Sequence, residues 1–382
     1  MMVTSHPSPF LHPLAGRSCR AAGQRYARAA VVSESIPEIS DPLFEGGGAV
    51  HLDSRGEPRV IERRFVVEDA HAGARLDHYL KRKIPRLSRT KLQQIVRTQL
   101  LRGDGKRLKP HSPVRAGEEL IIRRPARPEP PCPRDFEVLY RDESMMVVDK
   151  PPGLPVHASA KFYFNTLARL LRERFPDEPV RICHRLDRET SGCIAVARSR
   201  DAAARLQRAF SDARTSKAYV ALVRGQPPWP DRSLPDPYLP ADDDVVIDQP
   251  IGLVDPGPDV IGVRMIPRDD APPATTRVRV LERRGDVALV RCILITGRQH
   301  QIRAHLAHAG YPIVGDKLYA HGDEAFRSFC ARGLTPELLA RFELPRQALH
   351  AAYLRVPHPY EPRTIEVQSP LPRDVRAYLR GR

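Results

Sequence analysis

The sequence predicts an α+β fold built on a mixed sheet, preceded by a smaller α/β module. Three observations carry this. Beyond about residue 135, strand-like runs dominate and the helix-like runs are irregularly placed, so no regular βαβ repeat can be drawn. Before that, residues 60–125 hold two short amphipathic helices between strand-like ends. Between the two regions stand Pro125, Pro128, Pro130, Pro131 and Pro133, a run that favours a stiff, extended spacer. A length of 382 residues agrees with two or three domains.

Residues 1–58 lack hydrophobic periodicity and contain Pro7, Pro9, Pro13, Gly16 and Gly46-Gly47-Gly48, which predicts a disordered leader. The first acid is Glu34, and Arg17, Arg20, Arg25 and Arg28 precede it. An acid-poor, arginine- and serine-rich start resembles an organelle transit peptide, although an amphipathic helix is hard to draw there. An ordinary disordered tail has the same composition. The expected location is therefore the cytoplasm, or an organelle if the leader is a transit peptide.

In residues 60–125, Phe65-Val66-Val67 starts a strand, and Leu76, Tyr79, Leu80 and Ile84 follow helical spacing. Ser88 is a good N-cap for a second helix with Leu92, Ile95, Val96 and Leu100 on one face. Gly103-Asp104-Gly105 makes a turn and Leu120-Ile121-Ile122 a closing strand. The outward faces carry Lys81, Arg82, Lys83, Arg86, Arg89, Lys91 and Arg97, with almost no acids interleaved. Residues 61–127 hold 18 Lys and Arg against 7 Asp and Glu, so +11 of the formal charge of +16 is concentrated there. A compositional habit would be spread evenly, whereas a cluster is a patch suited to a polyanion such as nucleic acid. A solvated charge face is the plainer alternative. Lys81, Arg82, Arg86, Arg89, Lys91 and Arg97 are the candidate RNA-binding residues.

Residues 126–134 are the expected linker and 135–382 the expected catalytic domain. Strands are predicted at Phe136–Tyr140, Met145–Asp149, Cys193–Ala197, Ala218–Val223, Val278–Leu281 and Val287–Ile295. Helices are predicted at 165–175, 200–210, 298–309 and 372–380. Residues 226–275 are rich in Pro and Asp and read as loops inserted on the sheet. The six cysteines include no CxxC pair and read as buried thiols of a reducing compartment. No apolar run approaches the roughly 20 residues of a membrane helix, so a soluble intracellular protein is expected.

Three segments can carry chemistry. In His184–Gly192, Asp187 stands among Arg185, Arg188 and His184, and an apolar strand follows. Flanking arginines that approach the carboxylate would hold it ionised, fit for nucleophilic or base work. A structural salt bridge is the competing reading. Tyr219 lies on an alternating strand, where it is either a core residue or a platform for a flat base. In Thr296–Leu306, Gln299 and Arg303 are expected on one helix face, with Arg303 able to pair with Asp187 or grip a phosphate. His300, His305 and His308 sit close in sequence, but no HExxH, CxxC pair or acidic cluster accompanies them, so no metal is expected. GxxxxGK[ST] and strand–helix GxGxxG loops are absent as well.

Two resemblances add to this. Arg75-Leu76-Asp77-x-x-Leu80, Leu87-Ser88-Arg89-x-x-Leu92-Gln93, Gly105-Lys106 and Val114-x-x-Gly117-Glu118 resemble the alpha-L RNA-binding motif of ribosomal-protein type. Six further pieces, in order across about 220 residues, resemble the RluA-type pseudouridine synthases. They are Asp149-Lys150-Pro151-Pro152-Gly153 with Val156-His157; His184–Gly192; Lys217-x-Tyr219; Thr296–Leu306; Gly315-Asp316-x-x-Tyr319; and Leu349-His350-Ala351 with His358-Pro359. The resemblance implies a largely antiparallel sheet and isomerisation of uridines in structured RNA, ribosomal RNA first and tRNA second, by a monomer needing no cofactor. It implies Asp187 as the essential residue, Tyr219 as the platform for the uracil and a possible general base, and Arg303 as the partner of Asp187. His184, Arg185, Arg298, Gln301 and Leu349 are the expected substrate-binding positions. Lys161–Phe164 and the acidic run Asp242-Asp243-Asp244 depart from the pattern and leave the target RNA open. A silent RNA-binding factor and a metal-dependent RNA hydrolase are the rival classes.

Overall fold

The computed structural model describes residues 49–382 except 86, 160, 232, 233, 235, 256 and 258–260. Most of the expected leader, residues 1–48, lies outside the described residues, and so does Arg86. The described chain forms two units, residues 49–129 and 130–382.

The smaller unit contains β1 (Val60–Val66), α1 (Leu76–Lys83), α2 (Arg89–Thr98), β2 (Leu100–Arg102) and β3 (Glu119–Pro125). Its strands form an antiparallel sheet in the order β1-β3-β2. Leu76, Tyr79 and Leu80 share one helix face and are fully buried with Leu92, Val96, Leu100 and Leu120. The Ser88 hydroxyl accepts the Lys91 N–H and caps α2. Asp77 is buried under these helices and accepts from Arg75, Arg89 and Gln93.

The larger unit runs through β4 (Glu137–Arg141), β5 (Met145–Lys150), α3 (Leu167–Arg174), β6 (Arg181–Ile182), β7 (Ser191–Ala197), α4 (Arg200–Ser211) and β8 (Ser216–Arg224). It continues with β9 (Val245–Asp248), β10 (Ile251–Leu253), β11 (Met265–Pro267), β12 (Thr275–Arg284), β13 (Val287–Leu294) and α5 (Gln301–His308). It ends with α6 (Gly322–Arg332), α7 (Pro336–Phe342), β14 (Leu349–Pro357), β15 (Thr364–Gln368) and α8 (Arg373–Arg380). The main sheet has the order β4-β5-β7-β14-β8-β13-β12-β9, with β15 on β14 and β6 on β7. Among the described strands, only β7 and β14 pair in parallel, so the sheet is mixed and largely antiparallel. Both faces are covered. Met146, Val148, Ile194 and Val196 pack with α3, α5 and α8, while Met145, Val147, Cys193 and Ala195 pack with α4. Double burial explains why the central strands read as unbroken apolar runs.

Three sequence expectations change. Residues 130–134 of the expected spacer pack on the larger unit: Cys132 is in its core and the Pro130 carbonyl accepts from Asn165 Nδ2 at 3.1 Å. Residues 226–275 are more than loops, since β9 extends the main sheet and β10–β11 form a separate hairpin. Of the acidic run only Asp244 points inward: its side chain is fully buried and pairs with Arg291, Arg279 (2.9 Å) and Arg277 (3.6 Å), while the exposed Asp243 pairs with Arg279. The helix expected at 298–309 begins only at Gln301, because His300 takes the left-handed conformation at φ 54. Gln299 therefore lies outside the helix and shares no face with Arg303.

Candidate active site

Asp187 lies on the loop between β6 and β7, and the polar character of that loop is spent mostly on bracing it. The Lys150 ammonium, fully buried, donates to the carbonyls of Pro151 (2.7 Å), Leu154 (3.0 Å) and Arg188 (3.0 Å). Glu189 takes two bonds from Lys317 Nζ (2.9 and 3.0 Å) and one from the Gln347 N–H (3.2 Å). The Gln347 side chain donates to the Thr190 hydroxyl at 2.8 Å. At Gly192 (φ +111) a Cβ would stand 2.3 Å from the Ala351 carbonyl oxygen, so only glycine lets β14 close on β7 at the end of the loop.

Asp187 meets its arginine across 116 residues of chain. Arg303 Nη1 lies 3.0 Å from Asp187 Oδ2, and His300 Nε2 lies 3.8 Å from the same oxygen. The other edge of Arg303 is fixed by Asp316, through Nε (2.7 Å) and Nη2 (2.9 Å). Asp316 is held in turn by the Leu318 and Tyr319 N–H groups at 3.0 and 3.1 Å. One guanidinium thus bridges two carboxylates in a planar fork that lysine cannot reproduce. Arg303 is buried, while the Asp187 side chain keeps 27% of its surface exposed.

Burial pushes the Asp187 carboxyl up, but His300 in its protonated form, the Arg303 charge and hydrogen bonding from Arg303 and Gln347 hold it below the usual carboxylate range. Burial and the Arg303 charge push His300 down to about 4, so the imidazole is neutral at pH 7 and Arg303 is what keeps Asp187 ionised. The flanking arginines expected to do this do not. Arg185 is exposed, and Arg188 bonds Glu189 at 3.3 Å. Tyr219 sits on β8, 6% exposed, and burial followed by the Asp187 charge raises its hydroxyl well above the ordinary range. It is a neutral phenol at rest rather than a ready base.

The remaining expected positions divide. Leu349 is buried at the start of β14, in the same apolar cluster as Tyr219. Arg298 is exposed and donates to the Pro273 carbonyl at 3.2 Å. His184 turns into the scaffold: its Nε2 accepts the Ala195 N–H at 3.0 Å, and the ring packs on Phe210 at 4.6 Å. Gln301 locks the turn before α5, accepting from the Thr296 hydroxyl (2.8 Å) and the Arg298 N–H (3.0 Å) and donating to Thr275 and Thr276. Lys150, Lys317 and Gln347 were not singled out from the sequence. Their one signal was Lys150 within the Asp149–Gly153 piece.

In the smaller unit, Lys81 caps a loop through the Pro85 (2.7 Å) and Leu87 (2.8 Å) carbonyls, and Arg89 is turned onto Asp77 at 3.3 Å. Lys91 bonds Gln94 at 3.0 Å and Arg82 is exposed. Arg97 lines a groove of about 390 Å³ together with Arg75, Gln93, Arg107, Lys109 and His111. Arg107, Lys109 and His111 were missed, although Lys106–His111 is visibly basic. Among the described residues no group of His, Cys, Asp and Glu is placed to hold a metal. His305 is occupied by Thr276 and the Gln249 carbonyl, both at 2.9 Å. No described helix is long and apolar enough to cross a membrane.

A family model for RNA pseudouridylate synthase matches residues 144–308. An uncharacterized RNA pseudouridine synthase of Chloroflexus aurantiacus is 35% identical over 345 residues, covering 86% of this chain and 97% of that protein. Ribosomal large subunit pseudouridine synthase D of Pseudomonas aeruginosa is 32% identical over 322 residues, covering 82% and 94%. Among solved structures, human RNA pseudouridylate synthase domain containing 1 is 30% identical with a TM-score of 0.47, covering 63% of this chain and 86% of that one.

Proposed function

The chain belongs to the RNA pseudouridylate synthases, enzymes that isomerise uridine in RNA, and we propose that it acts on ribosomal RNA with Asp187 as the reacting carboxylate. The relatives named for the ribosomal large subunit support that choice of RNA. The observation that carries the role of Asp187 is a part-exposed carboxylate kept ionised by a buried arginine, itself pinned from behind by Asp316.

The reaction is redox-neutral. The bond between ribose C1′ and uracil N1 breaks, the base turns, C1′ joins C5, the C5 hydrogen leaves as a proton and N1 gains one. Asp187 takes part either by adding to C1′ or by removing a proton from the sugar, and both require the anion. Arg303 holds the carboxylate in place and compensates its charge. Tyr219, as a neutral phenol, offers a ring to the flipped uracil. The flip itself costs a few kcal/mol of stacking. Arg185, exposed on the same loop, supplies a cation for the displaced strand. The groove around Arg97, Arg107 and Lys109 takes the RNA backbone, which makes binding fall with salt.

The test is Asp187→Asn, compared with wild type by pseudouridine mapping of total RNA and by RNA affinity. Product should vanish at an affinity nearly unchanged. Turnover retained in the variant would remove Asp187 from this role, and mapped sites confined to tRNA would overturn the choice of RNA.

A further inference from the structure

His300 closes the turn between β13 and α5 at φ 54, a region disfavoured for residues with a Cβ. The turn leaves the imidazole between two partners. Nδ1 lies 3.2 Å from the Tyr319 hydroxyl, and Nε2 lies 3.8 Å from Asp187 Oδ2. The hydroxyl favours one tautomer. Its oxygen accepts the Met265 N–H at 2.9 Å, so its own proton is free to point at Nδ1. Nδ1 is then the acceptor, and the neutral ring carries its proton on Nε2, facing Asp187. The Tyr319 ring is fixed as well: it meets His300 edge-on at 5.9 Å and carries the Arg303 guanidinium 5.0 Å from its centroid.

We propose that His300 is a positioning residue for the isomerisation: it presents Nε2–H to the Asp187 carboxylate, and Tyr319 sets that proton by occupying Nδ1. This rests on Asp187 as the reacting group. At 3.8 Å the contact is too long for a hydrogen bond at rest. Such contacts tighten once substrate is bound. Arg303 and His300 address the same oxygen, so together they orient the carboxylate while its charge is drawn toward the sugar. The charged and titratable groups around the imidazole are Arg303 on the helix that follows it, Asp187 and Arg185 on the loop before β7, and Asp316 and Tyr319 on the following turn. Burial and Arg303 outweigh the two acids and keep the ring neutral, so it serves as a donor without adding a charge.

The experiment uses the full chain and an unmodified large-subunit ribosomal RNA transcript tritiated at uracil C5, whose release to water reports bond formation at C5. Single-turnover rate and RNA Kd are measured separately. Tyr319→Phe frees the tautomer and should lower the rate about tenfold, and His300→Gly should lower it about 100-fold, both at unchanged Kd. Glycine accepts the left-handed conformation, so the turn itself should survive. Added imidazole should restore part of the rate in His300→Gly, more as it loses its proton near neutral pH, a response that a merely structural histidine would not give. A wild-type rate in His300→Gly, or a loss that imidazole does not touch, overturns the proposal. A wild-type protein that releases no tritium overturns the choice of ribosomal RNA instead.

Discussion

Two carboxylates in the larger unit share a chemistry and differ in access. Asp187 faces Arg303, and Asp244 faces Arg279 and Arg291. The Asp244 side chain and its two arginines are 0–1% exposed, whereas the Asp187 side chain is 27% exposed. Asp244 is a counter-ion: it neutralises arginines trapped between the sheet and the 236–244 segment, whose carbonyls at Pro237 and Leu239 also accept from Arg291. Asp187 has its arginine on one side and keeps part of its side chain exposed. An ion pair alone therefore says little about function, and the free face of the acid decides it.

The comparison breaks most visibly at Asp244. Asp244→Ala removes the carboxylate shared by the buried Arg279 and Arg291 guanidinium groups and should cost about 3–5 kcal/mol in denaturant unfolding. Asp187→Asn should cost far less, because water reaches that side chain. Equal costs would mean that both are structural pairs. The partner arginine sharpens the contrast. Arg303→Lys keeps the charge but cannot bridge Asp187 and Asp316, and should lower single-turnover activity about 100-fold through misplacement of the carboxylate.

Glu189 supplies the smallest effect and a pH signature. Burial opposes its charge, but Lys317 foremost, then Arg188, draw its pKa down to about 2 from an ordinary 4.5. A carboxylate depressed by folding contributes stability that is complete above pH 4.5 and lost as pH falls toward 2. Lys317→Met should flatten that acid limb of stability, read by urea unfolding across pH 2 to 5. An unchanged limb would mean that other acids set it.

The strands of the sheet centre were legible because burial on both faces makes them plainly apolar, as in Met145–Lys150 and Ser191–Ala197. β14 was not, since His350 interrupts its run. That imidazole is satisfied only in the fold, by Ser191 Oγ (3.0 Å) and the Ser369 carbonyl (3.1 Å). Asp187 was legible from its loop, and Arg303 through the family resemblance. The cause of the lowered Asp187 pKa was misjudged, because adjacent arginines in a loop point wherever the turns send them. The burial of Asp244 carried no local sign either. Alternation in Arg277-Val278-Arg279-Val280 looks like a half-solvated strand, and only the tertiary cover of residues 236–244 makes its charged face an interior. Lys317 and Gln347 carry no local sign, as their partners lie 128 and 157 residues away.

The seam at Gly192 also sets a timetable. β14 lies between β7 and β8, yet it is made more than a hundred residues after either. On the ribosome, the loop bearing Asp187 emerges long before the Gln347 and Ala351 segment that braces it. Such distant pairing closes slowly, because the chain must lose loop entropy before the contact repays it. The nascent chain therefore carries Asp187 unsupported until a late strand is threaded into the middle of the sheet.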